Sequence, residues 1–258
     1  DFKLDYRTQW LNYGAGNLGG PKTFFLSGHS PIGKHETDIA EVRQLPFHGV
    51  GGVLIADKIG PFRVNSAKAG YSYHVPVSRD LIISLGTFLG FKQYGVDDDY
   101  LQPSSDPSVI DPLLNFRTTF VPDMTLGLWA YSKTYYFGLA SFQILNSKID
   151  FYEEISESAN DDAKSSLKAH HWITAGYKVE LNDNWFVVPS FVFKYVRNAP
   201  LTFDLNAKIR YQDMFWVGGS YRYQDAVVLL AGITLFKKID FSYAYDITTS
   251  DVREFSSG

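Results

Sequence analysis

Between Leu201 and Gln212 the chain alternates without a break: Leu201, Phe203, Leu205, Ala207, Ile209 and Tyr211 are apolar, and Thr202, Asp204, Asn206, Lys208, Arg210 and Gln212 are polar. A period of two is the period of a β-strand, so one face of this segment is apolar and the other is polar. The pattern repeats. From Met214 to Gln224, Phe215, Val217, Gly219, Tyr221 and Tyr223 share one face, opposite Met214, Trp216, Gly218, Ser220, Arg222 and Gln224. From Ile239 to Ile247, Ile239, Phe241, Tyr243, Tyr245 and Ile247 oppose Asp240, Ser242, Ala244 and Asp246. A chain that keeps this up along its length is all-β.

Further strands are expected near 2–12, 21–30, 46–58, 62–76, 80–94, 122–132, 134–145, 167–181, 184–197 and 225–236, giving thirteen in all. Several junctions are very short, among them Ser132-Lys133-Thr134, Asn182-Asp183-Asn184 and Gln212-Asp213, so the strands they join are antiparallel hairpins. Others are long and polar: 33–45, 95–121 and 146–166. Tight turns alternating with long loops describe the two rims of a membrane barrel.

Composition separates this barrel from a soluble one. Aromatic residues make up 16% of the chain, with 17 Tyr and 20 Phe, yet mean hydropathy is only -0.14. Rings crowd the face that a soluble sandwich or lipocalin-like barrel must keep polar, which favours lipid outside and water inside. The longest apolar run, Ala226 to Phe236, is about half the roughly 20 residues of a spanning helix and close to the roughly 9–11 of a membrane strand. Helical spans are excluded. The fold expected is a transmembrane antiparallel up-and-down β-barrel in a single domain spanning 1–258. An odd strand count does not close such a barrel, so about fourteen strands are expected, the last one missing from the chain. No export signal opens the sequence, which is expected to have had one removed or never to have carried one.

Net charge is -4, so no basic field concentrates a nucleic-acid backbone, and nucleic acid is not an expected partner. Cysteine is absent, which removes disulfides and thiolate metal sites.

Several patterns imitate a site. Gly14-Ala15-Gly16-Asn17-Leu18-Gly19 has the letters of a dinucleotide loop, but Gly20-Pro21 and a strand follow where a helix is required, so it reads as a hairpin loop. His170 and His171 are adjacent on a strand and point to opposite faces, so they do not chelate one ion. His35-Glu36 and Asp38 lack repeated ligand spacing. Asp97-Asp98-Asp99 with Asp106 and Asp111, and Glu153-Glu154 with Glu157, Asp161 and Asp162, form acidic loops better read as solvated than as calcium sites. No nucleophile, base and orienting acid fall in order, so no enzyme, cofactor or metal is expected.

The candidate site is therefore a polar network facing the lumen: Asp204, Asn206, Lys208, Arg210, Arg222, Asp240 and Asp246. Asp240 and Asp246 are expected to pair with Lys208, Arg210 or Arg222. A hydrogen-bonded plug is preferred over the alternatives, an open channel or a grip on an inserted partner segment, because Trp172, Trp216 and Phe186 also point inward and would narrow a pore.

Motifs along the chain carry a resemblance. Tyr6-Arg7-Thr8-Gln9-Trp10 precedes Gly20-Pro21-Lys22-Thr23; Gly51-Gly52, Asp57, Gly60-Pro61 and Tyr71 to Pro76 follow. Then come Asp123, His171-Trp172, Pro189-Ser190, Phe215 to Gly218, Ser220-Tyr221-Arg222 and Ser242 to Asp246 with Thr248-Thr249-Ser250. In this order they resemble the PorP/SprF family. The family's usual stretch before the first strand and its last strand after Thr248-Thr249-Ser250 do not occur here.

The resemblance implies a non-enzymatic outer-membrane barrel of the Gram-negative type IX secretion and gliding-motility system, with outer-membrane lipid around it. The partners it implies are other envelope proteins of that machinery and the C-terminal sorting domain of an exported surface adhesin, which the barrel would bind or anchor. The alternative is an outer-membrane channel or hydrophobic-ligand transporter.

Overall fold

The computed structural model describes residues 1–9, 20–32, 45–96, 118–149, 165–236 and 238–249. In chain order the strands are β1 (Phe2–Thr8), β2 (Lys22–Ile32), β3 (Phe47–Ile59), β4 (Phe62–Pro76), β5 (Ile82–Val96), β6 (Thr119–Tyr131) and β7 (Tyr135–Phe142). After two two-residue strands, β8 (Lys148–Ile149) and β9 (Ser165–Ser166), come β10 (His170–Tyr177), β11 (Val179–Glu180) and β12 (Trp185–Val196). The series ends with β13 (Thr202–Tyr211), β14 (Phe215–Arg222), β15 (Ala226–Leu235) and β16 (Ile239–Thr248).

Apart from the β8–β9 pair these form one 14-stranded antiparallel sheet in simple chain order. β10 and β11 both pair with β12 in an unchanged register, Gly176 opposite Ser190 and Val179 opposite Val187, so they are one strand interrupted at Lys178. Thirteen strands thus lie along the path from β1 to β16. The β3–β4 hairpin turns at Gly60, whose φ of 57° a side chain would strain. The β11–β12 turn is held by Asn182, whose Oδ1 accepts from the amides of Asn184 and Trp185, each at 3.0 Å.

The sheet curls, without closing, until side chains of its two edge strands touch: Arg7 Nη2 on β1 lies 2.6 Å from Asp246 Oδ2 on β16. Both residues stand on the polar face, so that face is the concave one. Burial agrees. Ser66, Ser84, Val121, Asp123, Thr125, Ser220, Ala226 and Val228 are all buried and all lie on the inner register, while Leu54, Leu85, Phe120, Leu205, Val217 and Leu229 on the outer one are exposed. Polar groups enclosed and apolar ones exposed is the inversion that a lipid environment selects.

Outer aromatic residues gather toward the two rims. At the rim where β1 begins stand His48 with Tyr71, and Trp185, Tyr211 and Phe215 with centroids 4.7 and 5.1 Å apart. Toward the opposite rim stand Phe91–Phe120 at 5.8 Å, Phe203–Tyr223 at 4.8 Å and His171–Tyr195 at 6.1 Å. From Phe203 to Tyr211, eight residues along β13, the rise is ~26 Å, or ~20 Å vertically at a tilt of ~40°. That suits the apolar band of a membrane barrel.

Thirteen strands leave β1 and β16 running in the same direction. Antiparallel closure takes one further strand between them, and the expected closing strand is not among the described residues. The Gly14–Gly19 loop, His35, Glu36 and Asp38 also lie outside the described residues, as do the acidic segments containing Asp97–Asp99 and Glu153–Asp162.

Candidate functional site: an ionic lining of the barrel interior

The seven predicted residues all fall on the inner face of β13, β14 and β16, but they form three groups. Toward the second rim, Asp246 Oδ2 accepts from Arg222 Nη1 at 3.0 Å and from Arg7 Nη2 at 2.6 Å. One carboxylate thus serves two guanidiniums and ties β14, β16 and β1. Arg7 was not expected in the network; its inner position depends on the β1–β2 register and on the curl of the sheet, neither of which local sequence shows.

On β13, Asp204 accepts from Lys194 Nζ of β12 at 2.6 Å, and that ammonium also lies 5.5 Å from the centroid of Trp172. Asn206 sits between Ser190 and Ser220 in register. Toward the first rim, Arg210 donates through Nη2 to Thr234 Oγ1 at 3.2 Å and to the Asp213 carbonyl at 3.3 Å. Its Nε lies 3.1 Å from Asp213 Oδ1 without making a hydrogen bond. Asp240 closes this group through a short hydrogen bond from Thr234 Oγ1. Asp240 thus reaches Arg210 only through Thr234, whereas Asp246 pairs with Arg222 directly.

Lys208 makes no ion pair within 4.0 Å among the described residues, but the charge of Asp240 acts on it at longer range, and its ammonium stands 3.8 Å from the centroid of Trp216. Trp216 is the direct register partner of Gly232, and a Cβ on that glycine would come within 2.5 Å of the indole. The indole therefore lies flat against the wall. Trp129 over Gly138, Tyr136 over Gly176 and Phe88 over Gly70 repeat the device between direct partners. Trp216 was expected to narrow the interior, and its ring instead belongs to the lining, because a glycine opposite gives it a floor.

A second ionic cluster lies on β4, β5 and β6 and was not foreseen. Lys68 Nζ is 2.6 Å and Lys92 Nζ 3.8 Å from Asp123 Oδ2, and the Asp123 side chain is fully enclosed. Neither carboxylate oxygen receives a directed hydrogen bond, so Coulomb attraction to two ammoniums holds the charge. Each of the three is an inner position of its strand, but their meeting depends on register between segments far apart in sequence.

His170 and His171 point to opposite faces; His170 is opposite Phe142 on the inside, and His171 Nδ1 lies 3.0 Å from Ser141 Oγ outside. Among the described residues no three His, Asp or Glu converge as metal ligands. The arrangement as a whole fastens strands together and presents charge to the interior.

No match was found among curated proteins. The model of the type IX secretion system membrane protein family PorP/SprF matches residues 1–258, the whole chain. With its lipid-facing barrel surface and ionic interior, the chain belongs to the PorP/SprF family of type IX secretion system membrane proteins.

Proposed function

We propose that this protein is a non-enzymatic accessory of the type IX secretion and gliding apparatus in the Gram-negative outer membrane, where it binds or anchors an exported surface adhesin through the adhesin's C-terminal sorting domain. The full-length family match carries the reading. The outer face supports an integral location: apolar along each strand and aromatic toward both rims, it satisfies lipid and leaves the rims and interior for protein partners. Other envelope components of the same machinery are the second class of partner.

Purification from membranes in mild detergent is the test. Recovery together with an exported adhesin or an envelope component of the system is expected; recovery alone, from cells that secrete the adhesin, would refute the proposal. The second reading, a channel or hydrophobic-ligand carrier, draws support from the rings laid flat on Gly70, Gly138, Gly176 and Gly232, which leave the axis clear of those side chains. Steady conductance in planar bilayers would favour it.

A further inference from the structure

We infer that the outer face of β2 to β5 holds a phosphate-bearing lipid of the outer leaflet, with Lys22, Lys58 and Arg63 on its headgroup and an acyl chain in the depression beneath them. The inference rests on the outer-membrane location proposed above and on no partner of the secretion apparatus. Of the Lys, Arg, Asp and Glu side chains on the described strands of the sheet, these three alone fall on the outer register. All are cations. Lys22 is the direct partner of Lys58, and Lys58 of Arg63, so they form one row across β2, β3 and β4. With strands ~4.8 Å apart the row is ~10 Å wide, and like charges set opposite each other repel. A phosphate shared between them relieves that repulsion. An ammonium carries three donors and a guanidinium five, so a cation that also serves a neighbouring group keeps donors for the phosphate.

Below the row the surface changes in the order in which such a lipid changes. At the next outer position after Arg63, Asn65 Nδ2 donates to Gln93 Oε1 at 3.2 Å, an amide pair at the depth of ester carbonyls. Beyond it lies an apolar depression of about 920 Å³. Gly52, Ala67 and Ala69 form its floor and Leu54 and Phe91 its sides, while Phe2 lies across Gly28 at one end, where an added Cβ would come within 2.9 Å of the ring. From Lys58 to Gly52, six residues along β3, the rise is ~20 Å, or ~15 Å of depth at a tilt of ~40°. That is one leaflet of a hydrocarbon core ~30 Å thick.

The leaflet follows from the connections. The row stands at the rim joined by the longest segments, 97–118 and 143–169, whereas 132–134, 181–184, 212–214 and 236–238 turn at the other rim. Long loops of such barrels face the cell exterior, so the row faces the headgroups of the outer leaflet. Charge and shape select the ligand together. A soluble anion gains nothing from the depression and a neutral lipid nothing from the row, so the whole site serves a ligand that has both parts.

The test titrates the full chain in detergent micelles with diphosphoryl lipid A and, for comparison, with a phosphatidylcholine, and native mass spectrometry counts the lipid retained. Lipid A is expected to bind at least about tenfold more tightly than the phosphatidylcholine, and inorganic phosphate to leave it in place. Changing Lys22→Gln, Lys58→Gln and Arg63→Gln together is expected to cost lipid A about tenfold or more, and Lys22→Arg with Lys58→Arg less than about threefold. Heat-modifiable gel migration reports whether each variant is folded, and Lys22→Gln alone, expected to lose about threefold, serves should the triple variant not fold. Gly52→Leu fills the floor, where an added Cβ meets only the Lys68 carbonyl oxygen at 3.6 Å, and is expected to weaken lipid A binding at least about threefold with every cation kept. Equal retention of the two lipids, displacement by inorganic phosphate, unchanged affinity in a folded glutamine variant, or unchanged affinity in Gly52→Leu would each overturn the inference in a protein that floats with lipid vesicles. Failure to float would overturn the membrane location along with it.

Discussion

Replacing Asp123 by asparagine keeps the shape of the side chain and removes its charge, leaving Lys68 and Lys92 facing each other across an enclosed space. Lys68 is 10% exposed, Lys92 18% and Asp123 0%, so water screens this cluster poorly. With an effective dielectric constant of about 20, the attraction at 2.6 Å is ~6 kcal/mol and that at 3.8 Å is ~4 kcal/mol. Desolvation of three ions, at several kcal/mol each, offsets most of that sum. Removing the shared anion leaves the desolvation and the repulsion in place, and the expected loss is ~3–5 kcal/mol. Urea unfolding of protein in lipid vesicles, followed by tryptophan fluorescence, measures it. A triple change, Asp123→Leu with Lys68→Met and Lys92→Met, is expected to recover most of the loss, because an apolar filling of similar volume carries no uncompensated charge. An Asp123→Asn protein within ~1 kcal/mol of the original, or a triple variant no better than the single one, would refute the claim that the carboxylate holds the two lysines.

Three further outcomes follow from the geometry. A Cβ on Gly90 would stand 1.9 Å from the Ala67 carbonyl oxygen, a backbone clash that no rotamer relieves, whereas one on Gly219 meets only an ordinary contact at 3.9 Å. Gly90→Ala is therefore expected to cost ~1–3 kcal/mol or more and Gly219→Ala less than ~1 in the same unfolding assay. Leu205→Arg puts a charge on the outer face near mid-strand and is expected to lose ~2–4 kcal/mol, while Asn206→Arg, one residue along on the inner face, is expected to lose much less. Asn182→Ala removes the acceptor for two turn amides and is expected to cost ~1 kcal/mol and to slow folding into vesicles, read by heat-modifiable gel migration.

Strand content was legible because each strand carries its own period. The segments expected at 201–212, 214–224 and 239–247 appear as Thr202–Tyr211, Phe215–Arg222 and Ile239–Thr248, and 62–76 agrees at both ends. Differences lie at the ends. β6 starts at Thr119 rather than near 122, because Thr119 to Val121 pair with Lys92 to Tyr94 and the neighbouring strand draws them into the ladder. The strand expected at 167–181 is shorter and breaks at Lys178, an interruption that alternation alone does not reveal.

The site was legible only as a list of inward residues. Which inward residues touch depends on register, and register is a property of pairs of segments. That is why the pairing of Lys68 with Asp123, the reach of Arg7 to Asp246 and the seating of Trp216 on Gly232 emerge only from the folded sheet.

The central claim is that the apolar face of every strand meets lipid and the polar face is enclosed. The chain contains no cysteine, so single cysteines can be placed one at a time from Phe203 to Arg210 and spin-labelled in proteoliposomes. Collision with oxygen, which partitions into lipid, is expected to peak at 203, 205, 207 and 209, and collision with a water-soluble nickel chelate at 204, 206, 208 and 210. The same two profiles without a two-residue period, or with the phases exchanged, would contradict the account.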